Sequence, residues 1–253
     1  MSRAVTFSLM SKKRESKPPA SKRPAARKGP ETSAKNYLPF IIIGVVLVVG
    51  ASAGAWLWRS ARTPQTSGVV AGGTPGAQPP RAAGPERAPL VLEEFGDYQC
   101  PPCGAFYPEV EQLRADYGDK LRLVFRHYPL PQAHPYALVA AHATEAAGLQ
   151  GKFWEMHDRI YRTQRDWSKA ADARAIFTSY AQALGLDMTR FAHDMASADV
   201  DARIVADHAR GESLGVHATP TFFLNGRELP AEKLRTPADL RTALDAALAG
   251  KSF

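Results

Sequence analysis

Cys100 and Cys103 are the only cysteines in 253 residues, and they stand as Cys-Pro-Pro-Cys between an apolar, strand-like run and a helical one. Thiol chemistry needs the thiolate, and the unpaired N–H groups and positive dipole end of a helix N-terminus stabilise that anion. Cys100, at the start of the helix, is therefore the candidate nucleophile. Cysteines at i and i+3 of a first turn bring their sulfurs within bonding range. A ring that small opens with little rearrangement, which suits exchange better than stapling. A structural disulfide stays open at this level, as does a metal cluster shared between two chains. Zinc would need two further ligands, and none of the seven histidines pairs with another at ligand spacing. No metal and no cofactor is expected.

The elements that must hold this pair are legible around it. Pro89 to Phe95 is a short apolar run of the kind a central strand shows, ended by Gly96. After the cysteines, Phe106, Val110 and Leu113 recur at i, i+4, i+7 and predict a helix over Phe106 to Tyr117, with its stop at Gly118. Pro101 and Pro102 suit a first helical turn. Leu121 to Tyr128 reads as a second strand, so strand, helix and strand form a parallel βαβ unit. An Ala-rich tract from about Pro135 to Gly215 predicts four or five helices. Phe153, Trp154, Tyr161, Phe177, Tyr180 and Phe191 are expected in its core, or in part along a peptide groove. Thr221 to Leu224, the turn Asn225-Gly226 and Arg227 to Leu229 form a hairpin, because Asn-Gly readily takes positive φ. Thr236 as N-cap, Pro237 at N1 and Asp239 at N3 open a last helix that Gly250 closes.

Upstream, the composition changes character twice. Residues 1–36 carry ten Lys or Arg against two acids, which is more than the whole +7 of the chain and leaves the remainder nearly neutral. This arm is Pro-, Ser- and Lys-rich without packable apolar residues, so a disordered cytoplasmic segment is expected and nucleic-acid binding is not. Tyr37 to Trp58 follows with 22 uncharged residues, long enough to span a bilayer. Tyr37, Trp56 and Trp58 would be interfacial anchors, and the preceding positive charge keeps that side cytoplasmic. A signal peptide cleaved after Ala53 in Ala51-Ser52-Ala53 is the rival reading, and a buried core helix a third. Either an anchor or a signal peptide exports the cysteines to a compartment where disulfides persist. Residues 59–87, rich in Gly, Ala, Pro, Thr and Gln, read as a flexible tether, with the folded unit at 88–253.

The element order, β-α-β, helices, β-β-α, is that of an α/β thioredoxin fold with a helical insertion at about 132–215. The stretch Phe95-Gly96-Asp97-Tyr98-Gln99-Cys100-Pro101-Pro102-Cys103 and the later Gly215-Val216-His217-Ala218-Thr219-Pro220-Thr221-Phe222-Phe223-Leu224-Asn225-Gly226 make the chain resemble the DsbA-like thiol-disulfide oxidoreductases, over about Pro89 to Ala249. The resemblance implies that Cys100 attacks and Cys103 resolves. It also implies that Pro101 and Pro102 tune the potential and that Pro220 is a cis-proline facing the pair, with Thr219 against the sulfurs. Without it, Pro220 would be an ordinary trans proline starting an edge strand. Many strongly oxidising relatives carry His where this chain has Pro102. A Cys100 pKa below the free value of about 8.5, yet not near the lowest value of about 3.5, is therefore expected.

Relatives can also place an acid beneath the disulfide, where it would move protons during exchange. Glu94 is the candidate, and Glu93 competes. Strand alternation sets Glu94 on the face of Leu90 and Leu92, and Glu93 on that of Val91 and Phe95, which does not decide burial. Asp97 and His127 receive no catalytic role.

The function expected is a membrane-anchored dithiol oxidase that donates the Cys100–Cys103 disulfide to cysteine-containing exported proteins. A quinone-linked membrane disulfide oxidase would restore it. An exported reductase or isomerase is the chemical alternative. The alternative of another class is a tethered peptide-binding module whose disulfide is structural.

Overall fold

The computed structural model describes residues 73–253. The basic arm, the apolar span Tyr37 to Trp58 and the first part of the tether lie outside the described residues. Among the described residues no helix is long and apolar enough to cross a membrane.

Five strands form one sheet in the order β1-β3-β2-β4-β5, with β1 at Arg81–Ala83, β2 at Leu90–Gly96, β3 at Leu121–His127, β4 at Thr221–Leu224 and β5 at Arg227–Glu228. β2 and β3 are parallel, and helix α1 at Pro101–Tyr117 makes the crossover between them. β4 runs antiparallel to β2, and β5 to β4. Asn225 and Gly226 take φ of +49° and +81°, the two left-handed residues of the expected hairpin turn. Helix α1 begins at Pro101, five residues before the expected start. Prolines at N1 and N2 forgo only N–H groups that a helix start leaves unpaired anyway.

The insertion contains six helices where four or five are expected: α2 at Ala137–Gly148, α3 at Phe153–Arg162, α4 at Gln164–Trp167, α5 at Ala173–Ala183, α6 at Met188–Asp194 and α7 at Ala198–Ser213. Helix α4 is one turn long, too short for any apolar period to show it. Ala137, Ala140, Ala141, Ala143, Ala146 and Ala147 are all buried on α2. Their small side chains let α3, α5, α6 and α7 pack closely around it. Phe153, Tyr161, Phe177, Tyr180 and Phe191 are buried in that core, with Trp154 half-buried beside it. On the same face of the sheet as Phe125, Leu90, Leu92, Phe222 and Leu224 meet Val110 and Leu113 of α1, and Leu240 and Leu244 of α8 at Ala238–Leu248. The α8 start lies one residue later than expected, with Pro237 and not Thr236 as N-cap, and the Thr236 N–H donates to Asp239 Oδ2 at 2.7 Å.

The flexible segment expected over 59–87 ends too late. Strand β1 pairs with β3, and residues before it are fastened to buried charges. The Ala77 N–H donates to Asp207 Oδ1 at 2.9 Å, and Arg126 Nη1 donates to the Ala77 carbonyl at 2.9 Å. Arg210 Nη1 donates to the Thr74 carbonyl at 2.7 Å, and Arg203 Nη2 to that of Pro79 at 3.0 Å. Arg81 Nε reaches Glu145 at 3.1 Å. Burial works against ionisation of Glu145, but hydrogen bonds and charge from His127 and Arg81 hold it well below the usual carboxylate range. Composition suggested a tether because the segment has few apolar residues. Its backbone carbonyls are instead the ligands of arginines that the interior could not bury unpaired.

Candidate active site

Strand β2 ends at Gly96, and Asp97-Tyr98-Gln99 turns the chain into α1 with Cys100 as N-cap. Asp97 builds this turn. Its Oδ1 accepts from the Gln99 N–H at 2.8 Å, and its Oδ2 accepts from the Leu130 N–H at 2.9 Å and lies 2.8 Å from His134 Nδ1. Sequence reasoning missed Gln164, whose Nε2 donates to the carbonyls of both Tyr98 and Cys100 at 2.8 Å. Gly104 makes room for it, since a Cβ there would lie 2.2 Å from Gln164 Oε1. Gln99 also anchors the turn, accepting from the Tyr136 N–H at 2.6 Å. No local signal marks either glutamine, because their partners are backbone groups more than thirty residues away.

Both cysteines are free thiols and buried. Their environments push them in opposite directions. The Cys103 thiol donates to the Cys100 sulfur, and with the Thr219 hydroxyl and the Cys103 N–H it lowers the Cys100 pKa to about 6 against the cost of burial. Pro101 and Pro102 have no N–H, so Cys103 supplies the first backbone donor of the helix. The Cys103 thiol is pushed well above its ordinary value by burial and by the neighbouring Cys100 charge. With a pKa of about 6, Cys100 is roughly nine-tenths thiolate at pH 7.

The Thr219–Pro220 peptide is cis, and the Thr219 carbonyl lies 3.2 Å from Cys100 Sγ. The thiol donates to that carbonyl. The buried Thr219 Oγ1 has no hydrogen-bond partner among the described residues while Cys100 is a thiol, and is available to donate once Cys100 ionises. Tyr128 anchors the loop that carries these residues, its hydroxyl donating to the Val216 carbonyl at 2.7 Å. Thr219→Val should therefore raise the Cys100 pKa by about one unit, since a hydrogen bond to a charged group contributes about 1.5 kcal/mol or more. Thiolate absorbance against pH measures it, and an unchanged titration would remove Thr219 from the account.

Glu93 and Glu94 are both buried, at 1% and 3% exposure, because β2 is a central strand covered on both faces. They do different things. Glu93 Oε1 accepts from Arg126 Nε at 2.8 Å and from Arg210 Nε at 2.9 Å, a structural ion cluster. Glu94 has no cation beside it among the described residues. Burial, and then the Cys100 charge, raise its pKa to about 8. It stays protonated at neutral pH, close enough to feel Cys100 and to bear on Cys103. His127 Nε2 instead lies 3.0 Å from Glu145, away from the thiols.

The family model described as Thioredoxin matches residues 77–246. The chain belongs to the thioredoxin family. The match begins four residues before β1, within the segment that composition alone assigned to the tether. Solved structures of DsbA-like proteins share this thioredoxin-family fold. A thioredoxin-like oxidoreductase from Silicibacter pomeroyi is 27% identical, with a TM-score of 0.55 over 67% of this chain and 92% of its own. BdbD from Bacillus subtilis is 19% identical, with a TM-score of 0.60 over 72% of this chain and 100% of its own. The α-DsbA1 of Wolbachia pipientis is 19% identical, with a TM-score of 0.58 over 68% of this chain and 92% of its own. Among curated proteins, a Na(+)/H(+) antiporter NhaA 1 of Salinispora arenicola is 44% identical over 144 residues, which are 57% of this chain. The chain spans about a fifth of the length of the first such relatives.

Proposed function

We propose that this chain is an extracytoplasmic dithiol oxidase that passes its Cys100–Cys103 disulfide to exported proteins. The observation that supports the reading best is the split between the two thiols, with Cys100 at about 6 and Cys103 raised. A stabilised Cys100 thiolate favours the reduced form of the pair, which makes the disulfide a stronger oxidant.

In the oxidised protein a substrate thiolate attacks Cys100 Sγ and breaks the Cys100–Cys103 bond. The departing Cys103 sulfur holds a proton firmly, and Glu94, protonated at neutral pH, is placed to supply it. A second substrate thiolate then attacks the substrate sulfur of the mixed disulfide and expels Cys100. Two electrons move from the substrate dithiol to the Cys100–Cys103 pair, and of the two substrate protons one ends on Cys103 and one in solvent. Cys100 is the better leaving group because it is stable as an anion.

Tyr37 to Trp58 would anchor the domain on the outer side of the membrane, where a quinone-linked disulfide oxidase would restore the disulfide. Ion exchange is not carried across from the antiporter, since the matched stretch is 21% of its length.

Trapping tests the assignment. Cys103→Ser should accumulate exported proteins in mixed disulfides at Cys100 on non-reducing gels, and Cys100→Ser should accumulate none. Equal absence from both variants would favour a peptide-binding module with a structural disulfide.

A further inference from the structure

A cleft of about 880 Å³ opens beside the thiols, between the first turns of α1 and the α3–α4 corner. Gln99 and Pro101, the chain neighbours of Cys100, both line it. Its apolar wall is Pro101, Ala105 and Pro108, while Arg162, Arg165 and Lys169 bring three cations against the single carboxylate of Asp166. All three cations are exposed. Arg162 is shared with Asp158 at 3.5 Å, Glu111 at 3.9 Å and the Tyr107 hydroxyl, so the cleft's free positive charge is that of Arg165 and Lys169. Arg165 and Lys169 have no carboxylate partner among the described residues. The buried Arg126 and Arg210 are paired with Glu93 and Asp207, whereas Arg165 and Lys169 stand exposed at the cleft beside Cys100, where a bound polypeptide would pass.

We propose that this cleft is a subsite for acidic residues of the polypeptide that reacts at Cys100, so that the protein selects cysteines with Asp or Glu a few positions away. The inference rests on the exchange reading and names its substrate class. An extended peptide advances about 3.3–3.6 Å per residue, so side chains two to four positions from the reacting cysteine reach past Pro101 into the cleft. The apolar wall takes their methylenes, and the cations take their carboxylates.

The test uses the full chain in its oxidised form and measures mixed-disulfide formation with single-cysteine peptides. One peptide carries Glu-Glu three residues from the cysteine and the other Lys-Lys, and 2-mercaptoethanol is the uncharged control. At low salt the acidic peptide should react about tenfold faster than the basic one, and the difference should shrink at high salt as the charges are screened. Arg165→Glu combined with Lys169→Glu should reverse the order of the peptides. The rate with 2-mercaptoethanol should not change. The basic arm at 1–36 is the same in both proteins, so a reversal reports the cleft and not the overall charge. Equal peptide rates, or a preference that survives the double reversal, would overturn the subsite while leaving exchange intact. No reaction with any of the three thiols would overturn the exchange reading, and the subsite with it.

Discussion

Glu94→Gln is expected to stabilise the reduced protein by about 3 kcal/mol at pH 7 and to slow its exchange chemistry by about 10²-fold. The folded state holds the Glu94 proton up to a pKa of about 8, against an ordinary value of 4.5. The unfolded chain releases it at ordinary carboxylate pH. Between those two values the folded state therefore binds the extra proton, so the Glu94 contribution to stability falls as pH rises from about 4.5 to about 8 and levels off above, while Cys100, lowered to about 6, contributes in the opposite sense above that pH in both proteins. Glutamine has the shape of the protonated acid and no proton to lose, and the variant should lose that slope. Because the Cys100 charge contributes to the shift, the fall should end at a lower pH in the oxidised wild type, which has no thiolate. Urea denaturation of both proteins at several pH values measures the effect. Parallel pH profiles, or a Glu94→Gln protein no more stable than wild type at pH 8, would show that the buried carboxyl is not held protonated.

A chain beginning at Ala88 should fail to fold cooperatively, whereas one beginning at Gly73 should fold. Removing 73–87 deletes β1, takes Arg81 from Glu145, and strips backbone acceptors from Arg126, Arg203 and Arg210. Breaking a buried ion pair by removing one partner costs about 3–5 kcal/mol, and the total stability of a domain is about 5–15 kcal/mol. Arg81→Ala in the full chain isolates the largest part. It should cost about 3 kcal/mol, less than the deletion, because Arg203 Nε still reaches Glu145 at 2.7 Å. Urea unfolding followed by circular dichroism distinguishes the cases, and an Ala88 fragment with an unchanged midpoint would show that the strap contributes nothing.

The contrast between those two regions shows what a sequence reveals. The Cys-Pro-Pro-Cys turn, the Asn225-Gly226 hairpin and the α8 start are specified by neighbours a few residues apart, so they are legible locally. The strap is not. What orders Gly73 to Ala83 is Arg126, Arg203, Asp207 and Arg210, and three of those four sit in one Ala-rich helix more than a hundred residues downstream. Polar composition looked like disorder because the segment contributes carbonyls to the interior and almost no side chains. Glu93 and Glu94 were separable by face but not by role, since alternation decides burial only when one face of a strand meets water. The cis geometry at Pro220 came from resemblance to a family and has no local signature in the sequence. Gln164 had neither kind of signal, as its effect is exerted through two backbone carbonyls of a distant turn.

The equilibrium potential of the Cys100–Cys103 pair, measured on the full chain in detergent against glutathione buffers, tests the central claim most directly. A Cys100 thiolate stabilised to a pKa of about 6 above a protonated Glu94 should place the potential at roughly −120 to −180 mV, the range of disulfide donors. A value of about −270 mV or lower would contradict the account and make the pair a reductant or a stable structural disulfide.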